Sequence, residues 1–276
     1  MTYGAPDAPL AIAHRGGAAL GPENTLAAFH IASALGFRYL ETDVRLTRDG
    51  QLVCFHDATL DRAADARGRV VHHRLAELSG VRVGGEPIPT LADALDAFPH
   101  ANFTVDLKEE AAIEPLARLL GHRPYAERVC VAGAWDGWLA RLRQMAPDVH
   151  TALGWRSLTA LIWCSRTGTR PSPRIATAPF AHVPISLGSV PIFVERFARH
   201  AHSIGVRVIV WTVDDPIRMH RLLDMGVDGI ITDRPDVLRE VLIARDAWTP
   251  VPSECLLPPE CLPRGMSAAN TPTERS

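Results

Sequence analysis

The sequence predicts an α/β fold, a (β/α)8 barrel of the TIM-barrel class with a small insertion after the second strand, and three observations carry that expectation. The chain has 276 residues, close to the ~250 that one such barrel needs. Short apolar runs alternate with helix-period patterns from Leu10 to about Trp248, the order that builds a parallel sheet with helices outside it. Several helical stretches stop at a glycine, namely Gly36, Gly205 and Gly226, and a strand-like run follows each within a few residues, as at helix C-termini.

The strand-like runs are residues 10–13, 39–46, 102–108, 128–132, 150–154, 183–187, 206–213 and 229–232. Helical patterns such as 24–35, 91–98, 138–145, 193–204 and 217–225 lie between them. The fifth and sixth units are the least regular, because 167–184 is rich in proline and basic residues. Asp49-Gly50 is a hairpin-type turn, so the second strand folds back through 51–55 before any helix begins. Residues 57–89 are polar and glycine-bearing, an excursion inserted within a barrel that spans 1–248. The tail, 249–276, is rich in Pro, Ser, Thr and Glu and is expected to be disordered.

Composition narrows the function classes. Apolar residues make up 47% of the chain, enough for a large core without disulfides. The net charge of −2 lacks the basic excess of a non-specific nucleic-acid binder. Five cysteines, an odd number with no zinc-site spacing, point to a reducing compartment. No run approaches the ~20 apolar residues of a membrane span. The apolar stretch 9–13 is too short for a signal core and runs straight into His14, so a cytoplasmic protein is expected.

Alternation along strands puts Glu41 and Asp43 on one face and Asp106 and Lys108 on one face. The apolar partners Leu40, Val44, Val105 and Leu107 make the charged faces the inward ones. Three inward carboxylates repel unless paired. They form either a solvated edge, a salt bridge to Lys108, or a site for a hard cation such as Mg2+ or Ca2+. His14 ends the first strand and His56 follows the 52–55 run. Strand C-termini form the mouth where barrel active sites sit. Two histidines there, beside Arg15 and an acidic cluster, form a plausible acid/base pair around an anion. Asn24 either caps a helix or orients the site; Asp57 either steers His56 or starts a turn. Asp233-Arg234-Pro235 reads as a helix start, and His72-His73 as solvated. Trp135, Trp138 and Trp163 carry no readable function.

His14-Arg15-Gly16, Pro22-Glu23-Asn24-Thr25, Glu41-Thr42-Asp43, His56-Asp57, Asp61-Arg62, Pro89-Thr90-Leu91, Asp106-Leu107-Lys108, Trp211-Thr212 and the 226–235 segment through Asp233 resemble, in order, the signature of the glycerophosphodiester phosphodiesterase family. The resemblance covers roughly residues 10–242. It implies that His14 and His56 are the general acid/base pair. It also implies that Glu41 and Asp43 are metal ligands, that Arg15 and Lys108 hold phosphate, and that Trp211 lines the substrate pocket. Asp106 stands where many relatives carry a glutamate as third metal ligand, a departure that bears on which ion is preferred. Gly16 and Gly17 would let backbone approach the phosphate closely.

The expected activity is therefore metal-dependent hydrolysis of a small-molecule glycerophosphodiester to glycerol 3-phosphate and an alcohol, within lipid and glycerol metabolism. Rivals are a lysophospholipase D, a phospholipase C-like lipid phosphodiesterase, or a non-catalytic phosphodiester-binding barrel. A lipid enzyme would want an exposed apolar rim, and the one candidate, 158–163, reads as helix core. No serine or cysteine lies among the matched residues, so the nucleophile is water or, as the resemblance implies, the substrate's own glycerol 2-hydroxyl.

Overall fold

A computed structural model describes residues 3–4, 9–121, 125–172, 178–187, 190–191 and 194–249. Apart from Thr249, the expected tail lies outside the described residues. The barrel strands are β1 (Leu10–Ala13), β2 (Tyr39–Leu46), β3 (Asn102–Leu107), β4 (Val129–Gly133), β5 (His150–Thr151), β6 (Phe180–Pro184), β7 (Arg207–Trp211) and β8 (Gly229–Thr232). After them come α1 (Leu26–Ala34), α2 (Leu91–Ala97), α3 (Ile113–Leu120), α4 (Asp136–Met145), α5 (Trp155–Thr167), α6 (Val194–His202), α7 (Pro216–Asp224) and α8 (Pro235–Ile243). Each strand pairs in parallel with its neighbours in the order β5-β4-β3-β2-β1-β8-β7-β6. The ends nearly close the barrel: Ala152 bridges Phe180, and Leu153 N–H donates to Phe180 O at 2.8 Å. Among the described residues no helix is long and apolar enough to cross a membrane.

Local chemistry fixes the helix starts. Thr25 Oγ1 accepts the Ala28 N–H at the head of α1. Thr90 and Asp93 form a reciprocal box at α2, each side chain accepting the other's backbone N–H. Asp215 caps α7 just before Pro216. The sixth strand begins at Phe180, earlier than expected at 183, because His182 at an inward position breaks the apolar pattern while the Val183, Ile185 and Leu187 alternation imitates a strand. The fifth ladder is shorter than expected, since Gly154 leaves it to become the N-cap of α5.

Two apolar layers follow from the alternation. Outward strand residues such as Val105 and Val131 pack on the helices, where Phe29 meets Phe98 and Phe103 edge-on at 5.9 and 5.8 Å. Inward residues Leu10, Ile12, Tyr39, Cys130, Phe180 and Ile209 fill the lower barrel. Tyr3 plugs its floor: its ring meets Tyr39 and Phe180 edge-on and its hydroxyl lies 2.6 Å from Thr104 Oγ1.

Leu52–Cys54 pairs antiparallel with β2, the fold-back that Asp49-Gly50 predicts. The excursion after it is polar in composition yet has a small core of its own, in which Leu60, Val70, Leu78, Val83 and Ile88 pack on Val53 and Phe55. That core anchors Asp57 and Arg62 beside the barrel mouth.

Candidate active site

The C-terminal ends of β1, β2 and β3 bring the sequence candidates together. Arg15, at φ 50° directly after His14, turns its backbone N–H onto Glu41 Oε2 at 2.8 Å. Its guanidinium reaches Glu23 Oε1 at 3.0 Å and Asp43 Oδ2 at 3.3 Å. Asp43 and Asp106 are register partners on adjacent strands. Lys108, one residue beyond β3, places Nζ 2.8 Å from Asp43 Oδ1 and 2.6 Å from Asp106 Oδ2. Gly16 and Gly17 both have positive φ. Their lack of side chains serves packing: a Cβ on Gly16 would lie 2.8 Å from Phe29 and Ala28, and one on Gly17 would lie 2.7 Å from Pro235.

Both histidines are oriented in the same way. His14 Nδ1 lies 2.7 Å from Asp233 Oδ1, and His56 Nδ1 lies 2.6 Å from Asp57 Oδ1. A carboxylate only accepts, so each Nδ1 is assigned the proton and donates, which frees each Nε2 for chemistry. Asp57 is itself held by Arg62 Nε at 2.5 Å, and Arg62 also donates to both oxygens of Glu23. One ionic chain therefore runs from His56 through Asp57, Arg62 and Glu23 to Arg15. Arg45 donates to the His56 carbonyl through Nε and Nη2, both at 3.0 Å, and fixes the loop that carries the ring.

Burial sets the electrostatics. It would push His14 down, but Glu41 and Asp233 more than offset it and raise its pKa. Burial together with Asp43 raises Glu41. Asp43, burial notwithstanding, is held low by Lys108 and Arg15. Lys108 is raised by Asp106 and Asp43 against its own desolvation. The charged groups line one side of a cavity of about 410 Å³. Trp211 and Thr212 line it from β7, and Trp135, Trp138 and Trp155 from the ends of β4 and β5.

The description "Glycerophosphoryl diester phosphodiesterase family" belongs to a family model that matches residues 14–237, a span that takes in His14, His56 and both their aspartates. The chain belongs to the glycerophosphoryl diester phosphodiesterase family. It is thus a phosphoric diester hydrolase, a glycerophosphodiester phosphodiesterase. A Mycobacterium tuberculosis protein named as a probable glycerophosphodiester phosphodiesterase 2 is 38% identical over 244 residues, covering 87% of this chain and 92% of its own. A solved Silicibacter pomeroyi structure shares the fold with TM-score 0.75 at 23% identity, covering 90% of this chain and 97% of its own. An Oleispira antarctica phosphodiesterase, solved in complex with the product sn-glycerol-3-phosphate, has TM-score 0.71 at 24% identity, covering 86% of this chain and 97% of its own.

Within the glycerophosphodiester phosphodiesterase site, several residues have placements that the sequence leaves open or misassigns. Asp233 reads as part of a helix start, yet α8 takes Arg234 as its N-cap with no side-chain cap, and the Asp233 carboxylate serves His14. Asp57 faces His56. Asn24 leaves capping to Thr25: its Nδ2 donates to Asp43 Oδ2 at 2.9 Å, and its Oδ1 accepts from Thr42 Oγ1 at 2.8 Å and Asp43 N at 3.2 Å. The signal for Asp57 and Asp233 was position, since each is an aspartate at the end of a strand that feeds the mouth. Among the described residues, no group of three His, Cys, Asp or Glu side chains is gathered as a metal shell. The donor chemistry of Glu41, Asp43 and Asp106 nonetheless suits a hard cation, and Glu41 is a buried carboxylate whose charge burial disfavours.

Proposed function

We propose that the protein hydrolyses glycerophosphodiesters to glycerol 3-phosphate and an alcohol, with His14 and His56 carrying the protons. The observation that carries this reading is the matched pair of histidines, each backed at Nδ1 by a carboxylate and each lining the same cavity. Arg15 and Lys108 are the cations available to hold the phosphate, and Trp211 supplies wall against the substrate.

Glu41, Asp43 and Asp106 would hold the divalent cation, Mg2+ or Ca2+. Its contribution when bound is to neutralise charge on the phosphoryl oxygens. Lys108 already bonds two of these carboxylates, Asp43 and Asp106, so it would stand beside a bound cation as a second positive charge for the phosphate.

In the proposed reaction the substrate's 2-hydroxyl oxygen attacks phosphorus and loses its proton to one histidine. The bond from phosphorus to the alcohol oxygen breaks, and the other histidine protonates that oxygen. The result is a five-membered cyclic phosphate, which water reopens with the two proton transfers reversed. An internal nucleophile has its orientation settled in advance, worth several kcal/mol of barrier at best. The three described cysteines are free thiols, which supports a reducing, cytoplasmic setting.

The test compares saturated turnover of a glycerophosphodiester with that of its 2-deoxy analogue. The expected result is turnover of the first and not the second. Equal kcat would rule out the cyclic route, and absence of turnover on any glycerophosphodiester would remove the hydrolase assignment.

A further inference from the structure

The cavity has two unlike halves. His14, Arg15, Glu41, Asp43, His56 and Lys108 make one charged. The other is built by tryptophans from two consecutive units: Trp135 just after β4, Trp138 in the first turn of α4, and Trp155 at the first position of α5. The two units are tied together. Trp155 N–H donates to Ala134 O at 2.9 Å, and Asp136 Oδ2 accepts from Arg156 N–H at 3.0 Å. The Trp135 and Trp138 ring centroids lie 6.2 Å apart with planes at 61°, so the pair makes a corner instead of a stack. Trp135 is 60% exposed and Trp155 37%. The aliphatic members of this wall, Leu153 and Leu158, are buried behind them. The hydrolytic chemistry uses none of these rings.

Resting on the hydrolase reading, we infer that this tryptophan wall is the subsite for the leaving alcohol and that it selects a quaternary ammonium alcohol, that is, a choline ester, over primary ammonium alcohols. A phosphodiester anchored on the charged half extends one of its two alcohols across the cavity, towards the indoles. Indole faces attract a cation held within about 6 Å of the ring centroid, and a quaternary ammonium has no N–H group that needs an acceptor. A primary ammonium brings three donors. Asp136, the carboxylate between Trp135 and Trp138 in sequence, is already taken by the backbone N–H groups of Arg156 and Ser157 at the head of α5. An alkyl chain would gain as much from leucine or valine as from indole, whereas the exposed residues of this wall are tryptophans.

The test uses the full chain and two readouts. Calorimetric titration with phosphocholine and with phosphoethanolamine needs no turnover. Phosphocholine is expected to bind about 3- to 30-fold more tightly, with the ratio falling in Trp135→Leu and Trp155→Leu and retained in Trp135→Phe. Glycerophosphocholine and glycerophosphoethanolamine should differ in kcat/KM by the same ratio. The wild-type comparison stands alone if a variant misfolds. Equal affinity for the two phosphoalcohols overturns the assignment whether or not the diesters are hydrolysed. A choline preference in binding with no hydrolysis removes the hydrolase reading and leaves the subsite standing; hydrolysis with no choline preference does the reverse. A preference for lysophosphatidylcholine that grows with acyl length and survives Trp135→Leu would give the wall to a lipid chain and likewise overturn the assignment.

Discussion

Asn24 is 2% exposed and holds a left-handed backbone conformation, φ 58°. Its amide makes the three hydrogen bonds to Thr42 and Asp43 described above. Asn24→Ala removes all three. One runs to a carboxylate, a bond worth roughly 1.5–3 kcal/mol, and the other two contribute about 1 kcal/mol each. Thr42 is fully buried, so its hydroxyl has no water to turn to. Alanine also keeps the positive φ without asparagine's tolerance of it, at about 1 kcal/mol. The expected loss is about 4.5–6 kcal/mol, or a melting temperature lower by roughly 10 °C or more. Asn24→Gly should fall about 1 kcal/mol short of the alanine loss, because glycine relieves the backbone. Asn24→Asp should lose at least as much as alanine, since it sets an oxygen where Nδ2 faces Asp43. Urea unfolding at neutral pH measures all three, and kcat/KM should fall with them as Asp43 loses its fixed orientation. An alanine variant within 1 kcal/mol of wild type, with normal kcat/KM, would refute the claim that this amide organises the site.

His14→Ala and His56→Ala should each lower kcat by on the order of 10²–10⁴-fold with little change in melting temperature, while Asp233→Asn and Asp57→Asn should each lose about tenfold or more in kcat/KM, as a charged partner becomes a neutral one; a near-normal variant would release that residue from its role. Chelation should abolish activity and Mg2+ or Ca2+ restore it. Apart from activity, ion at about 100 times its Kd should add about 2.7 kcal/mol to stability, and Asp106→Asn should weaken that gain; activity in metal-free buffer would refute the carboxylate assignment. Burial pushes His182 down to about 4, below the ordinary value of about 6.5, so the unfolded chain takes up that proton first as pH falls. Stability tied to the neutral ring is therefore complete above pH ~6.5 and lost between there and pH ~4, by about 3 kcal/mol; His182→Leu should flatten that part of the profile, and parallel profiles would refute it.

Sequence order was enough for the barrel because inward and outward residues alternate so cleanly in β2 and β3. Leu40 and Val44 face the helices and Glu41 and Asp43 the interior, a pattern that only a two-sided strand explains. The same logic brought His14, His56, Arg15 and Lys108 to one mouth. It failed where a residue's partner is far away in the chain. Asp233 and His14 are 219 positions apart, and no local spacing marks a carboxylate as theirs. Asp57 is adjacent to His56, but a turn aspartate looks the same in sequence. The tryptophan wall escaped for a related reason: Trp135 and Trp155 belong to different βα units, and only the pairing of β4 with β5 makes them neighbours. Polar composition hid the core of residues 57–89, because so few apolar side chains suffice to fill it.

Among the described residues, the join between β5 and β6 is the thinnest in the barrel wall. Where β2 and β3 share a ladder of six register pairs, this seam has the Ala152–Phe180 bridge and the Leu153 amide. Parting it would break far fewer backbone hydrogen bonds than parting β2 from β3, so the seam amides should trade protons with solvent well before those of the central strands. The charged residues sit on the β1–β3 arc, away from that seam. The barrel can thus breathe beside its aromatic side while the carboxylates and histidines keep their spacing.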